Sequence, residues 1–305
     1  MKTALLLLTL SLAAWANPKA TYVRPVMQTI PAAGIRQIVV QNMVGPISVK
    51  TDVGPSIALV VLIHSGGNDA TFAQALSQQL QFSIQNDNGQ LRVIGEYPLD
   101  HFRNYGYPNM KSIIGIHGTD SNVYQGKKVF IRDVNSSKVV DLWAEIRLTA
   151  PPGIEVVVRN TYGNVTLHGG DPITGGSSFD GFTDVGDFKI YRPQWQSLKI
   201  QNDYGDVDFS DGLGSARDIR VKIGNVGSTS LALPPGADPT IIAHKDLGFL
   251  HNDITEASFV KNSQGDSVLK LGDGKGATVT IDMSVGSLHL IKAGGIAAAG
   301  SLPPG

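Results

Sequence analysis

Leu198-Lys199-Ile200-Gln201-Asn202-Asp203-Tyr204-Gly205-Asp206-Val207-Asp208-Phe209 alternates apolar and polar residues on either side of one glycine. Alternation of period two is the pattern of a strand with one buried face, and glycine accepts a positive φ without steric cost. The stretch therefore predicts strand, tight corner, strand. Ile38–Val49, around Gly45, and Val156–Leu167, around Gly163, read the same way. Further copies centre on Gly89, Gly186, Gly227, Gly248 and Gly286.

Aligned on these eight corner glycines, the residue two positions later is apolar in seven copies, with Thr229 the exception. Four positions later only Asn252 departs, and seven positions earlier only Arg220. At a hydrophobic content of 42% about three matches would arise each time by chance. In five copies the residue two before the glycine is Asp87, Asp184, Asp203, Asn225 or Asp246, types that bond their own downstream backbone in turns. Around Gly227 the alternation of Ile219, Val221 and Ile223 ends one place early, which predicts a bulge or a longer corner.

From Gly163 the glycines follow at intervals of 23, 19, 22 and 21 residues, and Gly248 to Gly286 is 38, close to two units. A near-constant period of about 20 predicts an all-β, solenoid or β-helix-like array of stacked coils. An antiparallel hairpin sandwich is the alternative, because a short loop such as Asn202–Gly205 can also close a hairpin.

Outward from the array, the organisation falls into five parts. Residues 1–16 read as a secretory signal: Lys2, an apolar run from Ala4 to Ala16, and the ending Ala14-Trp15-Ala16. Residues 17–34 read as an extension, and residues 35–150 as an irregular β region. In that region Asn68-Asp69 can cap a short helix Ala70–Leu80, followed by strands Phe82–Gln85 and Gln90–Ile94. Residues 98–128 break all periodicity and read as a long inserted loop carrying His101, Phe102, Tyr105, Tyr107 and Tyr124. Strands resume at Val129–Arg132 and Val139–Thr149. Residues 151–291 form the regular array, introduced by Pro151-Pro152-Gly153 and punctuated by Pro234-Pro235-Gly236. A hairpin from Ser267–Leu271 to Thr278–Asp282 leads to the last copy, and residues 292–305 are a Gly/Ala/Pro-rich tail.

Composition limits function. Twenty-five Lys+Arg against 26 Asp+Glu excludes the basic excess of a nucleic-acid binder. No cysteine means no disulfide, no thiolate zinc site and no cysteine nucleophile. After the signal no segment has the ~18 uninterrupted apolar residues of a membrane helix. The chain is expected to be exported, to periplasm, cell surface or medium.

The Asn-x-x-Gly-x-apolar-x-apolar units, the Pro-Pro-Gly lead-ins and the closing Thr278–Leu290 segment resemble the bacterial putative-adhesin family of β-strand repeat proteins. The resemblance covers roughly residues 35–291. It implies an exported all-β repeat protein of the bacterial envelope, and that family offers no catalytic residues to carry over.

The residues themselves give two functional readings. One is a non-enzymatic scaffold that binds an envelope protein or glycan, with no cofactor, metal or catalytic residue. The other is a polysaccharide-active enzyme using Asp184, Asp203, Asp206 and Asp208; stacking would place Asp184 over Asp203 and Asp187 over Asp206, and such carboxylates could also bind Ca²⁺. Against the second, turn chemistry and outward-facing strand positions account for the same residues. The seven histidines (His64, His101, His117, His168, His244, His251 and His289) show no zinc spacing. Gly272–Gly276 lacks the order of a phosphate loop, no Gly-x-Ser-x-Gly elbow occurs, and the sequons at Asn135 and Asn164 are weak signals. The aromatic residues of 98–128 form either a contact site or a small core of their own.

Overall fold

The computed structural model describes residues 19–108, 122–136, 138–169, 177–254 and 258–293. The segment expected as a signal and its expected cleavage point, with His117, Ser137 and most of 292–305, lie outside the described residues. Strands β1 (Ala20–Pro31), β2 (Gln37–Val44), β3 (Ile47–Thr51) and β4 (Ser56–Gly67) precede helix α1 (Ala70–Ser77). Asp69 caps that helix, accepting a bond of 2.8 Å from the Phe72 N–H. Then come β5 (Gln81–Asp87), β6 (Gln90–Glu96), β7 (Asn104–Tyr107), β8 (Asn122–Tyr124), β9 (Lys127–Asp133) and β10 (Val140–Ala150).

The repeats supply β11 (Glu155–Tyr162) and β12 (Val165–His168), β13 (Ser178–Val185) and β14 (Phe188–Tyr191), β15 (Ser197–Tyr204) and β16 (Val207–Phe209), and β17 (Asp218–Val226) and β18 (Thr229–Leu233). β19 (Thr240–Asn252) carries two short strands after it, β20 (Val260–Lys261) and β21 (Ser267–Lys270), and β22 (Thr278–Lys292) ends the fold. One short helix apart, the described residues are all-β.

Pairing within the repeats is parallel and in register. β2, β11, β13, β15, β17, β22 and β19 form one ladder. β3, β12, β14, β16, β18 and the second half of β22 form another, on the far side of the corner. Consecutive strands of a unit do not pair with each other, so the antiparallel hairpin alternative is not what these repeats adopt. The parallel register stacks Ile38, Val156, Phe179, Leu198, Ile219, Val279 and Ile241 into one fully buried column. Ile47, Val165, Phe188 and Val207 form a second beyond the corner.

The structure departs from expectation at several places. Residues 37–51 join the array as a coil, so Gly45, expected outside it, lies inside; an apolar core face on β2 and β3 is best covered by the matching faces of β11 and β12. Gly89, expected as a corner, closes the antiparallel hairpin β5–β6 with Asn88, both at positive φ (82° and 51°). The hairpin expected between 267–271 and 278–282 does not form. β21 pairs antiparallel with β19, β22 lies on the opposite edge of β19, and the linking turn is pinned where Thr240 Oγ1 donates to the Gly274 carbonyl at 3.0 Å. Finally, stacking order is not chain order: β22 inserts between β17 and β19.

Two further features have local causes. Arg220 breaks the apolar pattern because a bulge between Ile223 and Val226 shifts the register, making Ile219 the partner of Leu198. Residues 17–34, expected as an extension, contain β1, which runs antiparallel along all of β4. β4 in turn pairs with β10, and β10 with β3.

Candidate functional site

The corner is where the polar residues of the repeat collect. Gly45, Gly163, Gly186, Gly205 and Gly248 have φ between 118° and 150°; Gly227 and Gly286 complete the column without a left-handed φ. All seven share a second constraint. A methyl at Gly163 would overlap the carbonyl oxygen of Gly45, and the same holds for Gly186 on Gly163, Gly205 on Gly186 and Gly227 on Gly205. Gly286 lies against Gly227 in this way and Gly248 against Gly286, while Gly45 abuts the Ala144 carbonyl. Backbone therefore packs on backbone along the whole corner.

Inside the corner, three positions before the glycine, stand Asn42, Asn160, Thr183 and Asn202, all buried. Asn160 Nδ2 donates to the carbonyls of Gly45 and Gly163, at 3.0 Å each, and Asn202 Nδ2 to Gly186 at 2.9 Å. Asn-x-x-Gly was visible as a spacing, but nothing in one copy shows that its amide bridges to the neighbouring coil. Outside the corner, one residue after the glycine, a second ladder runs. Asn164 Oδ1 accepts from the Asp187 N–H (2.9 Å), Asp187 Oδ1 from Asp206 (3.0 Å), and Asp206 Oδ1 from Ser228 (2.9 Å).

The acidic patch is thus divided. Asp187 and Asp206 hold successive coils together. Asp208 stands in register with Lys189 and Ser230 on the outer face of the second ladder, in an open depression of ≈ 350 Å³ that also includes His289. Burial pushes the Asp208 carboxyl up, and the Lys189 ammonium offsets part of that. Asp184 and Asp203 lie on the other side of the corner, between the register pairs Thr183–Asn202 and Val185–Tyr204. Among the described residues neither has the bond to its own downstream backbone that turn chemistry predicts. Burial, with the Asp203 charge beside it, pushes Asp184 up to about 7.

The remaining candidates disperse. Among the described residues no group of three His, Asp or Glu could hold a metal ion. The His64 ring stacks on Trp143 (3.8 Å, 2° between planes), and burial lowers its pKa. His168 stacks on Tyr191, and His251 pairs with Asp253 at 2.8 Å. Gly272–Gly276 is a turn. Tyr105, Tyr107 and Tyr124 are buried and meet Tyr97, Trp143 and Tyr162 edge-on, so these aromatics of 98–128 form an internal core; residues 109–121 lie outside the described residues. No helix among the described residues is long and apolar enough to cross a membrane.

No protein-family model matches the chain, and no curated protein matches it. Solved structures similar to it are distant. A "putative cell adhesion protein" from Clostridium sporogenes is 12% identical, with a TM-score of 0.41, over 89% of this chain and 100% of that one. A "putative adhesin" from Bacteroides fragilis is 9% identical, with a TM-score of 0.26, over 88% and 97%. A "putative lipid binding protein" from Parabacteroides distasonis is 12% identical, with a TM-score of 0.25, over 88% and 97%. All three scores lie below 0.5, and the likenesses carry no weight for function.

Proposed function

We propose that the protein is an exported, non-enzymatic β-solenoid scaffold of a bacterial envelope, which binds an envelope protein or glycan through its flat outer faces. The observation that carries this reading is the second corner ladder. Asp187 and Asp206, two of the clustered acidic residues of the repeats, accept backbone N–H groups of the next coil and are thereby structural. Outside the corner the register lays side chains in straight rows, such as Lys189, Asp208 and Ser230, which suit extended contact along a rod. A rigid surface also lowers the ordering cost of binding. The eight glycines Gly45, Gly89, Gly163, Gly186, Gly205, Gly227, Gly248 and Gly286 serve architecture and no chemistry in this reading.

One observation favours the polysaccharide-active alternative: Asp184, pushed up to about 7 beside Asp203, has the protonation state of a general acid. Both readings meet one experiment. Purified protein is assayed for retention of envelope extracts and for depolymerisation of envelope glycans, beside Asp184→Asn/Asp203→Asn and Lys189→Glu/Ser230→Lys. The scaffold reading expects retention, weakened at least about tenfold by the outer-face pair, and no glycan cleavage. Cleavage abolished by the Asp184/Asp203 pair would replace it with the enzyme.

A further inference from the structure

The array ends differently at its two ends. Beyond β3 it continues into β10, β4 and β1, with α1 packed against β1 and β4. At the other end β19 has β22 on one side and, on its free side, β21 over Thr240–Ala243 alone. Among the described residues no strand pairs with 245–251 on that side. An open edge of seven residues is a template for another strand.

The same end is apolar on its flank. In the row one residue before the corner glycine, Val44, Tyr162 and Val185 are buried, the first part of the row lying beneath Tyr107 and Trp143. Val226, Val285 and Leu247 continue that row in register but are 43%, 41% and 66% exposed. Phe249, just past the last corner, is 79% exposed. A terminal repeat ordinarily carries a polar face; on this one Leu247 and Phe249 stand exposed among His244, Asp246 and His251.

The backbone specifies what fits the edge. The N–H groups of Gly186, Gly205 and Gly227 donate to the carbonyls of Tyr204, Val226 and Val285, each on the following coil. The carbonyls of these same glycines face that coil too, each being the atom that a methyl on the next glycine of the column would strike. Gly248 ends the column, so both its N–H and its C=O face the free edge. Lys245 Nζ donates to that carbonyl at 2.6 Å, which leaves its second lone pair. A residue with both groups on one edge is half of an antiparallel hydrogen-bonded pair, and a two-fold axis supplies the other half from the same residue. The flanking positions then form the closer, non-bonded pairs, in which Leu247 of each copy faces Phe249 of the other.

We propose that two copies of this chain join through the free edge of β19 about a two-fold axis at Gly248, burying Leu247 and Phe249 of both. At the opposite end the outer strand beyond β4 is β1, which carries Pro25 and Pro31 with no N–H to give.

Sedimentation velocity of the full chain between about 1 and 100 μM tests it, with circular dichroism confirming the fold of each variant. The wild type is expected to be a dimer. Leu247→Glu/Phe249→Glu should be monomeric across that range, and Leu247→Lys/Phe249→Glu, which sets opposite charges face to face, should dimerise again. Met27→Glu on β1 should leave the dimer intact. A monomeric wild type at 100 μM, whether or not it binds phospholipid vesicles, overturns the proposal. So does a dimer that survives the double glutamate change, or a Lys/Glu variant that stays monomeric.

Discussion

Each glycine of the corner column is fixed by contact with the coil before it, and most by φ as well. At Gly205 both act: φ is 136°, and a methyl would overlap the Gly186 carbonyl. Gly205→Val is therefore expected to cost about 3 kcal/mol or more, and Gly205→Ala only somewhat less. Gly45→Val should cost as much, since Gly45 is also in the column; urea midpoints of the variants measure this. A Gly45 variant as stable as wild type would remove that coil from the array. Asn202→Ala removes the donor to the Gly186 carbonyl in a buried site and should cost about 1–3 kcal/mol. Asp184 gives a pH signature. Its folded pKa of about 7 lies above the unfolded value near 3.8, so the native state binds the extra proton between them. Stability is free of this penalty below about pH 4, falls as pH rises toward 7, and stays reduced above it. Allowing for solvent screening on a half-open face, the loss is about 2 kcal/mol. Asp184→Asn should accordingly stabilise the protein at pH 8 and do little at pH 4. Equal shifts at the two pH values would mean that the carboxyl is not displaced in the fold.

At the scale of elements, the segment between β6 and β10 is tied to the array by polar bonds as well as by aromatic contact. Tyr97 Oη donates to Asn42 Oδ1 at 2.8 Å and also lies 3.3 Å from the Val44 N–H, both at the Gly45 corner. Tyr97→Phe keeps the ring and should cost about 1–3 kcal/mol, with earlier proteolysis in 98–133 than in the repeats. Identical proteolysis of variant and wild type would show that this bond does not hold the segment. These elements also show what the sequence made legible. Helix α1 was readable because Asp69 and the apolar spacing act locally. The strands of the repeats were readable because period-two alternation survives in every coil, and the bulge before Gly227 because one residue is out of step. The hairpin expected before β22 was not, because Gly272–Gly276 is compatible with any reversal and only β19 decides which edge each strand takes. The aromatics of 98–128 gave composition without periodicity, so their burial could not be told from exposure.

For the whole molecule, the stacking order carries the account. Spacing along the chain showed that coils exist; it could not show that the 38 residues from Gly248 to Gly286, close to two units, hold no further coil, or that the last coil enters between its predecessors. That order follows from side chains on separate strands: β22 presents Val279, Ile281 and Met283 to the core between the matching residues of β17 and β19. The acidic residues had a similar fate. Their positions were legible, but the division of Asp187 and Asp206 from Asp184 and Asp203 depends on which side of a shared corner each occupies. The order of the coils can be tested by cysteine pairs, since the chain has no cysteine of its own. Thr280 is the register partner of both Arg220 and Ile242, on opposite sides. Neighbouring strands are ~4.8 Å apart, within reach of a disulfide, and next-nearest strands ~10 Å, beyond it. Mild oxidation should therefore cross-link Arg220→Cys/Thr280→Cys and leave Arg220→Cys/Ile242→Cys unlinked. A cross-link in the second pair and none in the first would put β17 beside β19 and contradict the fold described for this protein.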